Sequence, residues 1–297
     1  MTTRWRIHVG AHKTATTHLQ ELLEGNDARL LAAGVDVLPT ARVAPIVRRG
    51  TRKRRRGLKK FFKRLVTGTA PSRADQLRGI MRGMPTTVLS HEDQLGLSQD
   101  LLRPALYDGS ERLETLAELP DAQEVEIFLS IRSFDTLLVS AYCEFLKPFH
   151  DARARLEQRR RTLRDTPPSW FALAERLADR FPQAKLRVWT FEDYVPQPGF
   201  VVRALTGVEL DDLDNRPAPS RTRAPSPRAI ALAEGLDPGL GVRERMQRVQ
   251  ELYMAHPKQA GESLDLFSAE EVDWLRGCYA NDLEKIRRSA RMELLQP

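Results

Sequence analysis

The segment VEIFLSI at residues 125–131 is short and nearly continuously apolar, the pattern of a strand buried on both faces inside a parallel sheet. Other strand-like runs stand at residues 5–9, 35–38, 86–90 and 185–191. Between them the apolar spacing becomes that of a helix. In residues 17–34, Leu19, Leu22, Leu23, Leu30 and Leu31 recur along one face and Gly34 supplies a stop. Helices are predicted in the same way over 72–84, 134–147, 168–181 and 200–208, and from Ser226 onward the pattern is helical only. Strands that alternate with helices of about 10 to 15 residues imply βαβ crossovers. The expected fold class is therefore α/β, a parallel β-sheet flanked by helices, with a helical C-terminal part at about 226–297. Residues 41–57 and 211–227 read as linkers, no internal repeat is present, and a single domain with a basic insertion at about 41–70 is expected.

Composition narrows the class. Of 297 residues, 41% are hydrophobic and 29% charged, the balance of a soluble globular chain and not of a collagen, a disulfide scaffold or a disordered polymer. Cys143 and Cys278 are the only cysteines, too few for a disulfide framework or a cysteine zinc site. No run approaches the roughly 18 to 20 apolar residues of a membrane span, and MTTRWRIHVG lacks the apolar core of a signal peptide, so a cytoplasmic location is expected. The net charge of +7 is local. Residues 48–64, RRGTRKRRRGLKKFFKR, hold 11 Lys or Arg and no acid, and without them the chain has 36 basic against 40 acidic residues. That segment is the expected contact for an anionic membrane surface or a polyanion, with Leu58, Phe61, Phe62 and Leu65 on one helical face. The remainder carries no general polyanion-binding charge, so nucleic-acid binding is not expected of it.

The chemistry concentrates at strand ends. GAHKTATT, residues 10–17, joins the first strand to the first helix, where backbone N–H groups and the helix N-terminus favour an anion. Lys13 adds a positive charge and Thr14, Thr16 and Thr17 add hydroxyl donors, a set suited to phosphate or sulfate; taken alone, the segment equally fits a plain strand-to-helix turn. It is not a Walker A loop, because Lys13 follows Gly10 by three residues and no second Gly is present. Further on, IRSFDTLLVSAYCEFL sets Arg132 at the end of the 125–131 strand and Ser140 eight residues later, which is about two helical turns. Arg offers a phosphate a fork of donors and Ser adds a hydroxyl.

HVGAHKTATTHLQ resembles the 5'-phosphosulfate loop of sulfotransferases that use 3'-phosphoadenylyl sulfate, particularly the bacterial, carbohydrate-sulfotransferase-like members whose loop reads G-x-H-K-T-G-T-T. Ala15 stands at the usual Gly. The Arg132 and Ser140 spacing resembles the same family's 3'-phosphate site. The resemblance implies a P-loop-type fold like that of nucleoside-triphosphate hydrolases. It further implies in-line transfer of a sulfuryl group, without a metal, to a hydroxyl of a carbohydrate, glycolipid or other small acceptor. Lys13, Thr14, Ala15, Thr16, Thr17, Arg132 and Ser140 would bind the donor, with Lys13 stabilising charge on the oxygen between sulfur and the 5'-phosphate. If Ala15 needs positive φ, its methyl group strains the loop. KLRVWTFEDYVPQPGFVVRALTGVEL looks like the family's late core segment, with Glu192 and Asp193 as helix caps. NRPAPSRTRAPSPRAIAL looks like the stretch before the C-terminal helices, where Arg221 or Arg223 either reaches the 3'-phosphate or stays an exposed loop residue.

The strand TTVLS runs into His91, Glu92 and Asp93 at the sheet's carboxyl edge, where ligands of α/β proteins sit. Carbohydrate members of the resembled family use a Glu as base, so Glu92 is the expected base and His91 the second choice, with a helix-capping or surface pair as the alternative. His8, His12 and His18 lie on a strand, a loop and a helix with no carboxylate or Cys among them, so no metal site is expected. Two other readings stay open. A small-molecule kinase would need a magnesium-binding Asp, for which Asp93 is the candidate. A nucleotide- or polyanion-binding protein without turnover would keep the fold and lose the chemistry.

Overall fold

A computed structural model describes residues 3–48, 71–108, 112–213 and 224–297. Strand β1 (Thr3–His8) leads through a loop into α1 (Thr16–Gly25), followed by α2 (Asp27–Ala32), β2 (Val35–Val37), α3 (Thr40–Val47), α4 (Arg73–Arg78) and β3 (Thr86–Ser90). Two 3-10 turns, Glu92–Gln94 and Ser98–Leu102, precede α5 (Glu114–Ala117), β4 (Ala122–Ile131), α6 (Phe134–Phe145), α7 (Ala152–Thr162) and α8 (Trp170–Arg180). After β5 (Lys185–Thr190) come α9 (Phe191–Tyr194), α10 (Pro198–Thr206), α11 (Pro227–Glu234), α12 (Val242–Ala255), α13 (Ala269–Arg288) and β6 (Met292–Leu294).

The strands form one parallel sheet in the order β2-β3-β1-β4-β5-β6, as the α/β reading requires. Side-chain alternation divides the core. Ile127, Leu129 and Ile131 of β4 join Trp5, Ile7, Leu89 and Val188 beneath α3, α6, α8 and α13, whereas Phe128, Val88 and Trp189 face α1 and α10. The chain leaves β1 toward β2 and β3 on one side and then crosses to β4 on the other, so the switch point of the sheet lies at the carboxyl end of β1. Register places His8, Ser90 and Phe128 level there, with Ile131 and Thr190 beyond.

Four expectations need correction. The helix expected over 17–34 breaks at Asn26, whose main-chain and side-chain N–H groups both donate to the Leu22 carbonyl, at 3.2 and 2.9 Å. Residues 41–47, read as linker, belong to α3, because Val43, Ile46 and Val47 bury at helical spacing. The 72–84 helix closes after Arg78: Ser72 caps its start through the Asp75 N–H, and Gly79 ends it. Finally, the C-terminal region is not purely helical, since β6 pairs with β5 through Leu186↔Met292 and Val188↔Leu294. The basic segment beyond Arg48, together with Arg221 and Arg223, lies outside the described residues. Among the described residues no helix is long and apolar enough to cross a membrane.

Candidate active site

The loop after β1 is shaped by three residues in the left-handed region: Gly10 (φ 52°), Lys13 (φ 69°) and Ala15 (φ 64°). At Gly10 the glycine is required twice over, because a Cβ would also stand 3.0 Å from Thr16 Oγ1 and 3.1 Å from the His8 ring. Ala15 is the N-cap residue of α1, and its carbonyl accepts the Leu19 N–H at 3.1 Å. Beneath the loop, Ser130 of β4 accepts the Ala11 N–H at 3.4 Å, and its Oγ lies 2.5 Å from Thr14 Oγ1 and 3.3 Å from His8 Nε2. Thr14 also donates to the Ala11 carbonyl at 2.6 Å and is buried away from the cavity, so its hydroxyl braces the loop. Thr16 donates to the same carbonyl at 3.3 Å.

Above the loop opens a cavity of about 920 Å³, lined by Lys13, Ala15, Thr16 and Thr17 on one side and by Arg132, Thr136 and Ser140 of the α6 wall on another. The third wall comes from the C-terminal region, through Pro225, Tyr253, Lys258, Phe267 and Arg276. Arg132 is held from three directions. It donates to the Lys13 carbonyl (2.9 Å) and to Thr136 Oγ1 (2.9 Å), and its guanidinium carbon lies 4.2 Å from the centre of the Phe191 ring. Its own carbonyl accepts the Trp170 indole N–H at 2.8 Å. Burial pulls the Arg132 pKa below its ordinary value, while Glu192 and Asp135 act in the opposite direction.

Lys13 Nζ points along the cavity to Glu144 Oε2 at 3.3 Å, and Lys147 Nζ meets the same oxygen at 3.0 Å. Neither Glu144 nor Lys147 is singled out by the sequence reading. The signal that finds them is helical spacing, since Ser140, Glu144 and Lys147 follow at i, i+4 and i+7 along one face.

The His91-Glu92-Asp93 step divides into three environments. Glu92 lines the cavity and accepts from Gln20 Nε2 at 3.3 Å. His91 is buried away from the cavity and its Nδ1 accepts the Asp93 N–H at 3.2 Å; burial pushes its pKa down, so it stays neutral. Asp93 turns toward His12 Nε2 (3.3 Å) and the Arg48 guanidinium. Burial opposes its ionisation, yet these hydrogen bonds outweigh burial and hold the carboxyl below the usual range. His12 lines the cavity, with its backbone N–H donated to Tyr107 Oη at 2.9 Å and its Nδ1 3.0 Å from the same oxygen. His8 contacts Ser90 and Ser130 and lies tilted against the Trp189 ring, whereas His18 meets Tyr194 Oη at 2.7 Å. The three histidines thus diverge, and no cluster able to hold a metal ion occurs among the described residues. At the late strand end Thr190 is the cap, accepting the Asp193 N–H at 3.0 Å; Glu192 instead accepts from the Ser133 N–H (3.0 Å) and from Tyr279 Oη (2.9 Å).

No family model matches this chain, and no curated protein matches it. A solved sulfotransferase from Alicyclobacillus acidocaldarius aligns over 86% of this chain and 96% of its own, with 19% identity and a TM-score of 0.41. A likeness at that level has no functional weight. The cavity itself sets what the site can do: Lys13 and Arg132 offer positive charge to an anion, and Glu92 offers a carboxylate on the same cavity.

Proposed function

We propose that the chain transfers a sulfuryl group from 3'-phosphoadenylyl sulfate to a hydroxyl of a carbohydrate, glycolipid or other small acceptor, without a metal ion. One observation carries this reading. The Arg132 guanidinium donates to the Lys13 carbonyl at 2.9 Å, and this contact between two motifs 119 residues apart supports reading them as one anion site. The donor would supply a sulfuryl group that already carries a good leaving group. Lys13 and the loop amides would stabilise the charge that develops on the departing 5'-phosphate, and Arg132 with Ser140 would bind the 3'-phosphate. Glu92 would accept the hydroxyl proton of the acceptor.

The kinase reading is disfavoured by Asp93, whose carboxylate is taken up by His12 and Arg48 and does not face the cavity. Nucleotide calorimetry tests the proposal. Adenosine 3',5'-bisphosphate should bind more tightly than AMP, and Arg132→Ala should remove most of the difference, a loss of about 1.5 to 3 kcal/mol for a charged hydrogen-bonding partner. Equal affinity of the wild type for the two nucleotides would reject the site, and a strict magnesium requirement for transfer would restore the kinase.

A further inference from the structure

Among the described residues Glu144 is the one acid in direct contact with Lys13, and the same oxygen holds Lys147. Lys13 comes from the loop after β1 and Lys147 from just beyond the end of α6, so this carboxylate ties the loop to the helix. The Lys13, Glu144 and Lys147 side chains are 25%, 33% and 16% exposed, which weakens solvent screening between them. Burial alone would raise the Glu144 pKa; the two lysines outweigh it and keep the carboxylate ionised. The cluster therefore carries two positive charges and one negative charge on the cavity wall.

This arrangement conflicts with donor binding. If Lys13 is to meet the oxygens of a phosphosulfate, the incoming anion encounters a carboxylate already seated on that ammonium. Two anions cannot share one partly buried lysine without repulsion, so one must move. Glu144 is able to: its side chain is one-third exposed and stands on the cavity face of a helix. Without an anion, Glu144 offsets the repulsion between the two ammonium groups and keeps Lys13 directed into the cavity.

We propose that Glu144 holds the place of the donor's sulfuryl group between Lys13 and Lys147, and that Lys147 is a second cation on the group to be transferred. The inference rests on the sulfuryl-donor reading. It assigns Glu144 a selective role, since a weak anion does not repay the lost carboxylate contacts and a donor held also at Arg132 does.

Calorimetry with three probes, without acceptor, tests it. Glu144→Gln should bind 3'-phosphoadenylyl sulfate and inorganic sulfate about tenfold more tightly, equivalent to about 1.4 kcal/mol. Lys147→Gln should weaken the intact donor by a similar factor. Adenosine 3',5'-bisphosphate, which lacks the sulfuryl group, should change by less than about threefold in Lys147→Gln, because Lys147 is assigned to that group alone, whereas Glu144→Gln should tighten it too, through the Lys13 contact with the 5'-phosphate. Thermal melts confirm folding, and Glu144→Ala replaces the first variant if Gln is not tolerated. The proposal is overturned if loss of the carboxylate leaves donor affinity unchanged or weaker, or if Lys147→Gln weakens donor and bisphosphate alike. Unchanged donor binding with lost turnover would make Glu144 the acceptor's base and would likewise overturn it. A wild type that binds sulfate but no bisphosphate would instead reject the donor reading.

Discussion

Ala15 carries a backbone conformation that suits glycine, at the entrance to the helix whose N-terminal residues line the cavity. An L-residue with a Cβ pays roughly 1 to 2 kcal/mol in the left-handed region, partly offset because glycine has more freedom to lose on folding. Ala15→Gly should therefore raise stability by about 1 kcal/mol in urea denaturation and should not weaken bisphosphate binding. A less stable variant would show that the methyl group earns its place by packing. His8 makes a second prediction at this scale. Burial lowers its pKa from 6.5 to about 3, so the folded protein keeps it neutral while the unfolded chain takes up a proton below about 6.5. Between those values the unfolded state binds more protons, and the stability present above pH 6.5 is lost as pH falls toward 3. This group alone should cost about 2 kcal/mol between pH 7 and pH 5. NMR should show the His8 imidazole still neutral at pH 5. Titration near 6.5 would remove the basis of the expectation.

At the scale of the element, what the sequence made legible follows from how strongly each element marks itself. The central strands were readable because burial on both faces leaves an apolar run, and α1, α6 and α8 because their leucines repeat on one stripe. The strand β6 was not, because three residues, Met-Glu-Leu, are too few to show an alternation; β5 and α13 decide their conformation. Helix α7 was also missed. Its ARARLEQRRRT sequence has little apolar face: beside Ala152 and Leu156 it buries Arg159, which donates to the Pro104 and Thr166 carbonyls. The site shows the same division. Lys13 and Arg132 sit within local motifs, and both line the cavity. Thr14 was read from the same motif, yet its hydroxyl turns inward, because a β-bound Ser130 lies beneath it. Glu144 and Lys147 look like an ordinary solvated helix end until the fold brings Lys13 to them across 131 residues. The wall from the C-terminal region follows from tertiary packing and has no local signature.

Over the whole molecule, the basic charge and the proposed donor site are separated along the chain. Residues 48–64 hold 11 of the 47 basic residues, whereas the proposed donor site draws on Lys13, Arg132 and Ser140. The first arginine of the segment is joined to the site, since Arg48 pairs with Asp93 beside Glu92. We propose that the segment collects an anionic membrane surface carrying the acceptor. The test keeps Arg48 and replaces the ten basic residues at 49–64 by Gln and Ser. Binding to phosphatidylserine-containing vesicles should fall sharply, because each basic residue near such a surface contributes about 1 kcal/mol and the rest of the chain is net acidic. Any residual binding should lose its steep dependence on salt. Bisphosphate affinity should stay within about twofold, because none of the groups assigned to the donor is altered. Absence of vesicle binding in the wild type at physiological salt would reject the membrane role, and a large loss of bisphosphate affinity in the variant would show that the donor site extends into the basic segment.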